Sequence, residues 1–145
     1  MKSEIEIRDV QKDGYSISND QDKLQIDVIH GYLKRSYWAK DIDIALVKRS
    51  IQNSYCFGVY FENKQVGFAR LITDYCRFAY LADVFILEKH RGKGLSKLLM
   101  EFMMKSPELE TVSGWMLKTE DAHGLYSKFG FDKPKLPYRI MEYSK

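Results

Sequence analysis

Two cysteines, three histidines and three prolines are all that 145 residues hold of the types that most often staple, ligate or interrupt a fold. Cys56 and Cys76 each lie in an apolar, strand-like run. That predicts buried free thiols rather than a disulfide or a metal pair, and it fits a cytoplasmic location. Neither has the basic, exposed setting of a reactive thiolate, and no Ser-His-Asp or Cys-His order supports a nucleophilic triad. His30, His90 and His123 are scattered and no H-E-x-x-H pattern is present, so no metal site is expected. No apolar run is long enough to cross a bilayer, and the opening MKSEIEIRDV is too charged for a signal peptide. A net charge of +3 is too small to indicate nucleic acid as the main partner, although it suits a phosphate-rich ligand. Repeats and low-complexity tracts are absent. What remains is an ordinary soluble composition, 45% hydrophobic and 30% charged. Its length predicts one domain over residues 1–145, with a core that needs no staples.

The informative stretch is Leu81 to Met103, LADVFILEKHRGKGLSKLLMEFM. Leu81, Val84, Phe85, Ile86 and Leu87 read as a buried strand. Lys89 to Gly94 form a basic turn with two glycines. Leu95, Leu98, Leu99, Phe102 and Met103 then recur on one helical face. A strand that turns through glycines into a helix presents backbone N–H groups at the positive end of the helix dipole, an anion site most often used for phosphate. The bland alternative is a plain strand–helix connection with a basic rim. A Walker A loop is absent. Gly92 and Gly94 begin a G-x-G-x-x-G, but Lys97 stands where the third glycine belongs.

Along the rest of the chain, Tyr15–Ser18 reads as a short first strand. Asn19, Asp20 and Asp22 are start signals for a first helix that carries Ile26, Ile29, Leu33 and Tyr37 and runs to about Ser36. Asp41 or Asp43 caps a second helix with Ile44, Val47 and Ile51 inward. Tyr55–Phe61, Gln65–Thr73 and Phe78–Leu87 read as strands, the first two joined by a turn at Glu62-Asn63-Lys64. A helix from Gly94 stops at Ser106-Pro107, followed by a strand over 112–118. A helix from about Asp121 to Phe129 ends at Gly130, and a last strand is expected over Tyr138–Tyr143. This order predicts a mixed α+β domain around one central, mostly antiparallel mixed sheet flanked by helices.

Two segments carry a family resemblance. Arg91-x-x-Gly94-x-Ser96 resembles the Gln/Arg-x-x-Gly-x-Gly/Ala pyrophosphate loop of GNAT-superfamily N-acetyltransferases, with Ser96 departing at the last position. Ala122, Leu125, Tyr126, Gly130 and Phe131 match the Ala-x-x-Leu-Tyr-x-x-x-Gly-Phe helix of the same family. The element order is also that of the GNAT acyl-CoA N-acyltransferase fold. The family often has Asn near the start of the second helix, where this chain offers Thr119, Glu120 and Asp121.

The resemblance implies an acetyl-CoA co-substrate and transfer of its acetyl group to a primary amine of a small molecule or protein. It implies a pyrophosphate on Arg91, Gly92, Lys93, Gly94, Leu95 and Ser96, with Lys93 and Lys97 adding charge-assisted contacts. The pantetheine arm would pair along Val84, Phe85 and Ile86 like an added strand, and an N–H near Val84 or Phe85 would face the oxyanion. Tyr126 takes the family tyrosine's place as proton donor to the leaving thiolate, unless it only packs. Asp83 interrupts an apolar strand, so it is either a candidate base or a paired structural carboxylate. Glu120, Asp121 and His123 could act through water, although His123 also reads as a surface residue. Walls for the acceptor are expected from Tyr32, Tyr37 and Trp38. Asp41, Asp43 and Asp74 either attract a cationic amine or serve as caps and turn residues.

Two other readings stand beside this one. The first is a GNAT-fold module that binds or senses acyl-CoA without turnover. The second is a small basic nucleic-acid-binding domain using Lys89, Arg91, Lys93 and Lys97, which the missing aromatic platform opposes. No membrane partner is expected, and a sheet edge near the C-terminal strand is available for a homodimer.

Overall fold

The computed structural model describes residues 5–145, so the first four residues of the charged N-terminal segment lie outside it. Two tight hairpins organise the N-terminal half. Asp13 and Gly14, at φ 53° and 82°, join β1 (Asp9–Lys12) to β2 (Tyr15–Ser18). Glu62 and Asn63, at φ 50° and 66°, join β3 (Tyr55–Phe61) to β4 (Lys64–Thr73). Both central residues of each turn are left-handed, the geometry whose twist matches that of the flanking strands. Together with β5 (Phe78–Ile86) and β6 (Gly114–Leu117) they form one six-stranded sheet in the order β1-β2-β3-β4-β5-β6. Every neighbouring pair is antiparallel except β5 and β6, which run parallel.

Helices cover both faces. α1 (Ile26–Leu33) and α2 (Ile44–Gln52) place Ile29, Leu33, Val47 and Ile51 against Cys56, Phe68 and Phe85. On the other face α3 (Leu95–Met104) packs Leu95, Leu99, Met100 and Met103 against Phe57, Val59, Ala69 and Leu71. β3 therefore alternates between two cores, Tyr55, Phe57 and Val59 facing one and Cys56 the other. Each fully buried aliphatic or aromatic side chain of this kind stabilises the fold by roughly 1.5–3 kcal/mol. A short α4 (His123–Ser127) follows β6. Among the described residues, no helix is long and apolar enough to cross a membrane.

The chain departs from its sequence reading in several places. The Asp13-Gly14 hairpin adds β1, for which no strand is expected. α1 is shorter than expected and is preceded by a separate 3₁₀ turn at Gln21–Lys23, which Asp20 caps. Ile44, expected inward, is exposed at the first position of α2, next to the capping Asp43. The segment 138–143 forms no strand. Pro137 lacks an N–H, the chain coils into a 3₁₀ turn at Pro137–Arg139, and Tyr138, Met141 and Tyr143 are exposed. The free sheet edge on that side is β6 itself.

Cys56 is buried, but Cys76 is exposed beside Arg77 in the β4–β5 turn. Asp74 explains the turn: its Oδ1 accepts the N–H groups of Cys76, Arg77 and Phe78 at 3.0, 2.8 and 3.1 Å. Those three bonds carry Cys76 out of the strand, and they lower the Asp74 carboxyl to about 2. A lowered carboxyl contributes its stability above the ordinary carboxylate range and loses it as pH falls through the folded value. Urea unfolding should therefore show Asp74→Ala less stable than the wild type at neutral pH. The gap should close between about pH 4 and pH 2. An equal gap at both ends of that window would refute the assignment.

Candidate active site

The site begins where two strands part. β5 and β6 pair from Phe78↔Gly114 to Leu81↔Leu117 and no further. On its other side β5 stays paired with β4 but carries a bulge: Arg70 faces Ala82 and Phe68 faces Phe85, leaving Asp83 and Val84 opposite Ala69. Asp83 takes φ 56°, a left-handed residue inside a strand. Beyond Leu81 the open side of β5 borders a cleft of about 600 Å³. Its walls include Tyr37, Trp38, Arg70, Asp83, Val84, Glu120, Asp121 and Tyr126. The cleft thus draws on the loop between α1 and α2, on β4, β5 and β6, and on α4.

Asp83 is held on both sides. Arg70 donates from Nε to Oδ2 at 2.8 Å, and Trp38 donates from Nε1 to Oδ1 at 2.9 Å. The Arg70 and Asp83 side chains are only 15% and 11% exposed, so the pair sits largely out of water. Tyr126 projects from α4, buried, with its ring edge-on to Phe131. Burial, and to a lesser degree the neighbouring Tyr37 and Asp121, push its phenol up to about 12. The hydroxyl therefore stays protonated throughout the neutral range.

At the C-terminal end of β5 a 3₁₀ turn (Glu88–His90) leads into the glycine loop and α3. Gly92 and Gly94 both take φ 76°, and Gly94 is the residue immediately before the helix. The Arg91 N–H is already used, donating to Glu88 O at 3.3 Å. From Gly92 through Lys97 the N–H groups have no acceptor among the described residues, so the open run starts one residue later than expected. The Arg91 guanidinium turns inward: Nε donates to Ile86 O at 2.8 Å and an Nη donates to Tyr32 Oη at 2.9 Å. Tyr32 in turn stacks on Phe85 at 4.1 Å between ring centres. Phe85 and Ile86 are buried and Val84 lines the cleft. Lys93 borders a smaller hollow of about 250 Å³ with Lys12 and Tyr15 from the first hairpin.

The structure brings together Asp83, Val84, Tyr126, Tyr37 and Trp38 at one cleft, and sets the Gly92–Lys97 loop at the end of the strand that carries Asp83. It leaves Asp43 and Asp74 elsewhere, as a helix cap and a turn residue. His123 is exposed at the start of α4. Arg70 and Tyr80 also line the cleft, and the sequence reading passed over both. A lone arginine inside the apolar β4 was the available signal, since a buried charge requires a partner.

The acetyltransferase (GNAT) domain matches residues 52–133, from the end of α2 to just past α4. That span covers more than half the chain. The chain belongs to the GNAT acetyltransferase family. A Gibberella zeae protein named as an acetyltransferase is 30% identical over 140 residues, covering 79% of this chain and 76% of that one. A crystal structure of a GNAT-family protein from Xanthomonas campestris pv. campestris superimposes with a TM-score of 0.88 at 47% identity, covering 90% of this chain and 93% of that one. The GNAT acetyltransferase of Elizabethkingia anophelis, solved with acetyl-CoA bound, shares the fold at a TM-score of 0.64 and 16% identity, over 83% of this chain and 78% of its own. This GNAT protein is therefore an acetyltransferase, with the family's mixed α+β fold.

The raised Tyr126 phenol can be read directly. In an ultraviolet pH titration, the phenolate signal missing from Tyr126→Phe should rise near pH 12 rather than near 10. A difference signal centred at the ordinary tyrosine value would contradict the raised phenol.

Proposed function

We propose that this enzyme, as a single domain over residues 1–145, transfers the acetyl group of acetyl-CoA to a primary amine by direct attack of the amine on the thioester. The observation that carries the reading is what one strand brings together. β5 loses its β6 partner beyond Leu81, lines the cleft with Asp83 and Val84 opposite Tyr126, and leads at its end into the open N–H groups of Gly92–Lys97. Acetyl-CoA bound to the Elizabethkingia protein of the same fold supports the choice of co-substrate.

On this reading the pyrophosphate rests on the N–H groups of Gly92, Lys93, Gly94, Leu95 and Ser96 at the positive end of α3, with Lys93 and Lys97 beside it. Arg91 serves from behind, holding the loop to Ile86 and Tyr32. The pantetheine arm takes the backbone edge that β6 leaves free at Val84, Phe85 and Ile86, as an added strand does. An N–H at Val84 or Phe85 meets the tetrahedral oxyanion. When the carbon–sulfur bond breaks, the thiolate takes the Tyr126 proton, which that buried phenol retains at neutral pH. The ammonium substrate loses one proton to water beside Glu120 and Asp121 before attack, and the attacked nitrogen gives its second proton back to the Tyr126 phenolate, which restores the phenol. Asp83, held by Arg70 and Trp38, keeps its place as a paired carboxylate.

Calorimetry with acetyl-CoA and CoA tests the first half. Gly94→Glu puts a carboxylate among the phosphate-facing N–H groups and should abolish binding in a folded protein. Undiminished binding by that variant would move the cofactor off the loop. A screen of primary amines, followed by CoA thiol release, tests the second half. Tyr126→Phe should lower kcat by about 10²-fold or more while leaving acetyl-CoA affinity in place. Binding without turnover on any amine would favour an acyl-CoA sensor.

A further inference from the structure

Asp83 has a conformation that a strand residue rarely adopts, and its carboxylate is where three elements meet. Its φ of 56° is open to glycine and asparagine at lower strain. What the carboxylate adds is a pair of bonds, to Arg70 from β4 and to Trp38 from the loop before α2. Arg70 extends the chain further. An Nη donates to Ser54 Oγ at 3.1 Å, and Ser54 Oγ donates to Ser50 O at 2.6 Å, at the far end of α2. The C-terminal end of α2 and the loop between α1 and α2 are therefore both tied to the bulge, through one guanidinium and one carboxylate. The residue beside Trp38 reaches the opposite bank: Tyr37 Oη accepts the Glu120 N–H, beyond β6, at 3.3 Å. The Tyr37-Trp38 pair thus spans the gap between the parted strands and walls the cleft.

Building on the amine-transfer reading above, we propose that Arg70 is a positioning residue of the reaction. Through the Asp83 carboxylate it fixes the bulge that aims the β5 backbone into the cleft and fixes the Trp38 indole as the acceptor-side wall. Arg70 touches neither the thioester nor the amine in this role. A planar guanidinium satisfies Asp83 and Ser54 at once, which a lysine ammonium does not reproduce. Trp38 is 42% exposed; beside its ring contacts with Tyr32 and Tyr37, the bond to Asp83 is its polar anchor.

The test uses a Trp115→Phe background, in which Trp38 is the remaining tryptophan. Arg70→Met, Arg70→Lys and Trp38→Phe are made in the full chain. Emission and acrylamide quenching of Trp38 report the anchor without any substrate. Thiol release with an amine that the wild type consumes, and calorimetry with acetyl-CoA, report the two substrates separately. In Arg70→Met the quenching constant should about double as the loop loosens. The same variant should lose kcat while acetyl-CoA affinity stays within about twofold. Trp38→Phe should raise the amine KM about fivefold or more with kcat near the wild type. Arg70→Lys should fall between Arg70→Met and the wild type. Unchanged quenching and unchanged kinetics in a folded Arg70→Met, or unchanged amine KM in Trp38→Phe, would overturn the proposal. If Arg70→Met does not fold, Arg70→Lys and Trp38→Phe decide it. A wild type that uses no amine overturns the transfer reading instead, and the Trp38 signal still judges the anchor.

Discussion

The site depends on β5 having only one complete neighbour. Its pairing with β6 ends at Leu81, while its pairing with β4 continues to Ile86 across the bulge. A strand edge exposed inside a cleft leaves polar backbone groups that need a partner, and each unmet group that becomes buried costs about 1–3 kcal/mol. A ligand that supplies those partners gains affinity from main-chain bonds. The parallel sense of β5 and β6 makes the arrangement available. Parallel neighbours need a long crossover, here the glycine loop and α3, so the crossover begins at the end of the strand whose edge is open. The anion-binding end of a helix is thereby delivered beside the exposed edge.

Rigid and strained parts are distributed accordingly. The described residues with positive φ lie mostly in turns and loops, such as Asp13, Gly14, Glu62, Asn63 and Tyr75. Asp83 is inside a strand, and Gly92 and Gly94 follow within a dozen residues. All three lie on the segment that runs from the cleft into the glycine loop. A left-handed residue other than glycine costs roughly 1–2 kcal/mol and persists only where its surroundings enforce it. Around Asp83 that enforcement comes from an ion pair largely out of water. Beneath it the doubly covered sheet, with Phe57, Phe68 and Leu71 fully buried, holds β4 and thus Arg70 in register.

Local chemistry was legible in the sequence, and long-range chemistry was not. Tyr55–Phe61, the Glu62-Asn63 turn, the helix after Gly94 and the Gly130 stop all follow from periodicity and left-handed positions, and each lies where expected. Asp13-Gly14 carried the same signal as Glu62-Asn63 and could have been read. The segment 138–143 has strand-forming residues, but Tyr138, Ile140 and Glu142 share one face and Arg139, Met141 and Tyr143 the other. Neither face is cleanly apolar, so register is weakly specified. Cys76 was misplaced because side-chain turns such as that of Asp74 override apolar runs. The Trp38–Asp83 and Arg91–Tyr32 bonds join residues 45 and 59 apart, and nothing local announces such partners.

Those two long-range bonds change how the motif residues work. The motif arginine would be expected to face its anion, yet Arg91 faces Ile86 and Tyr32. Its charge still lies beside the loop, but its hydrogen bonds are spent on β5, at Ile86 O, and on α1, at Tyr32. Arg35 reinforces the same junction, gripping Glu88 with both Nη groups at 2.6 and 3.0 Å. That grip holds the Glu88 carboxyl at about 2, although both side chains are half exposed and the pair adds little to global stability. Its value is geometric. α1 is fastened to the glycine loop at Arg91, the residues just after α1 grip Glu88 through Arg35, and the loop that leaves α1 is fastened to the bulge at Asp83. The open edge of β5 is therefore tied at both ends, at Asp83 and at the glycine loop, to α1 and the residues that follow it.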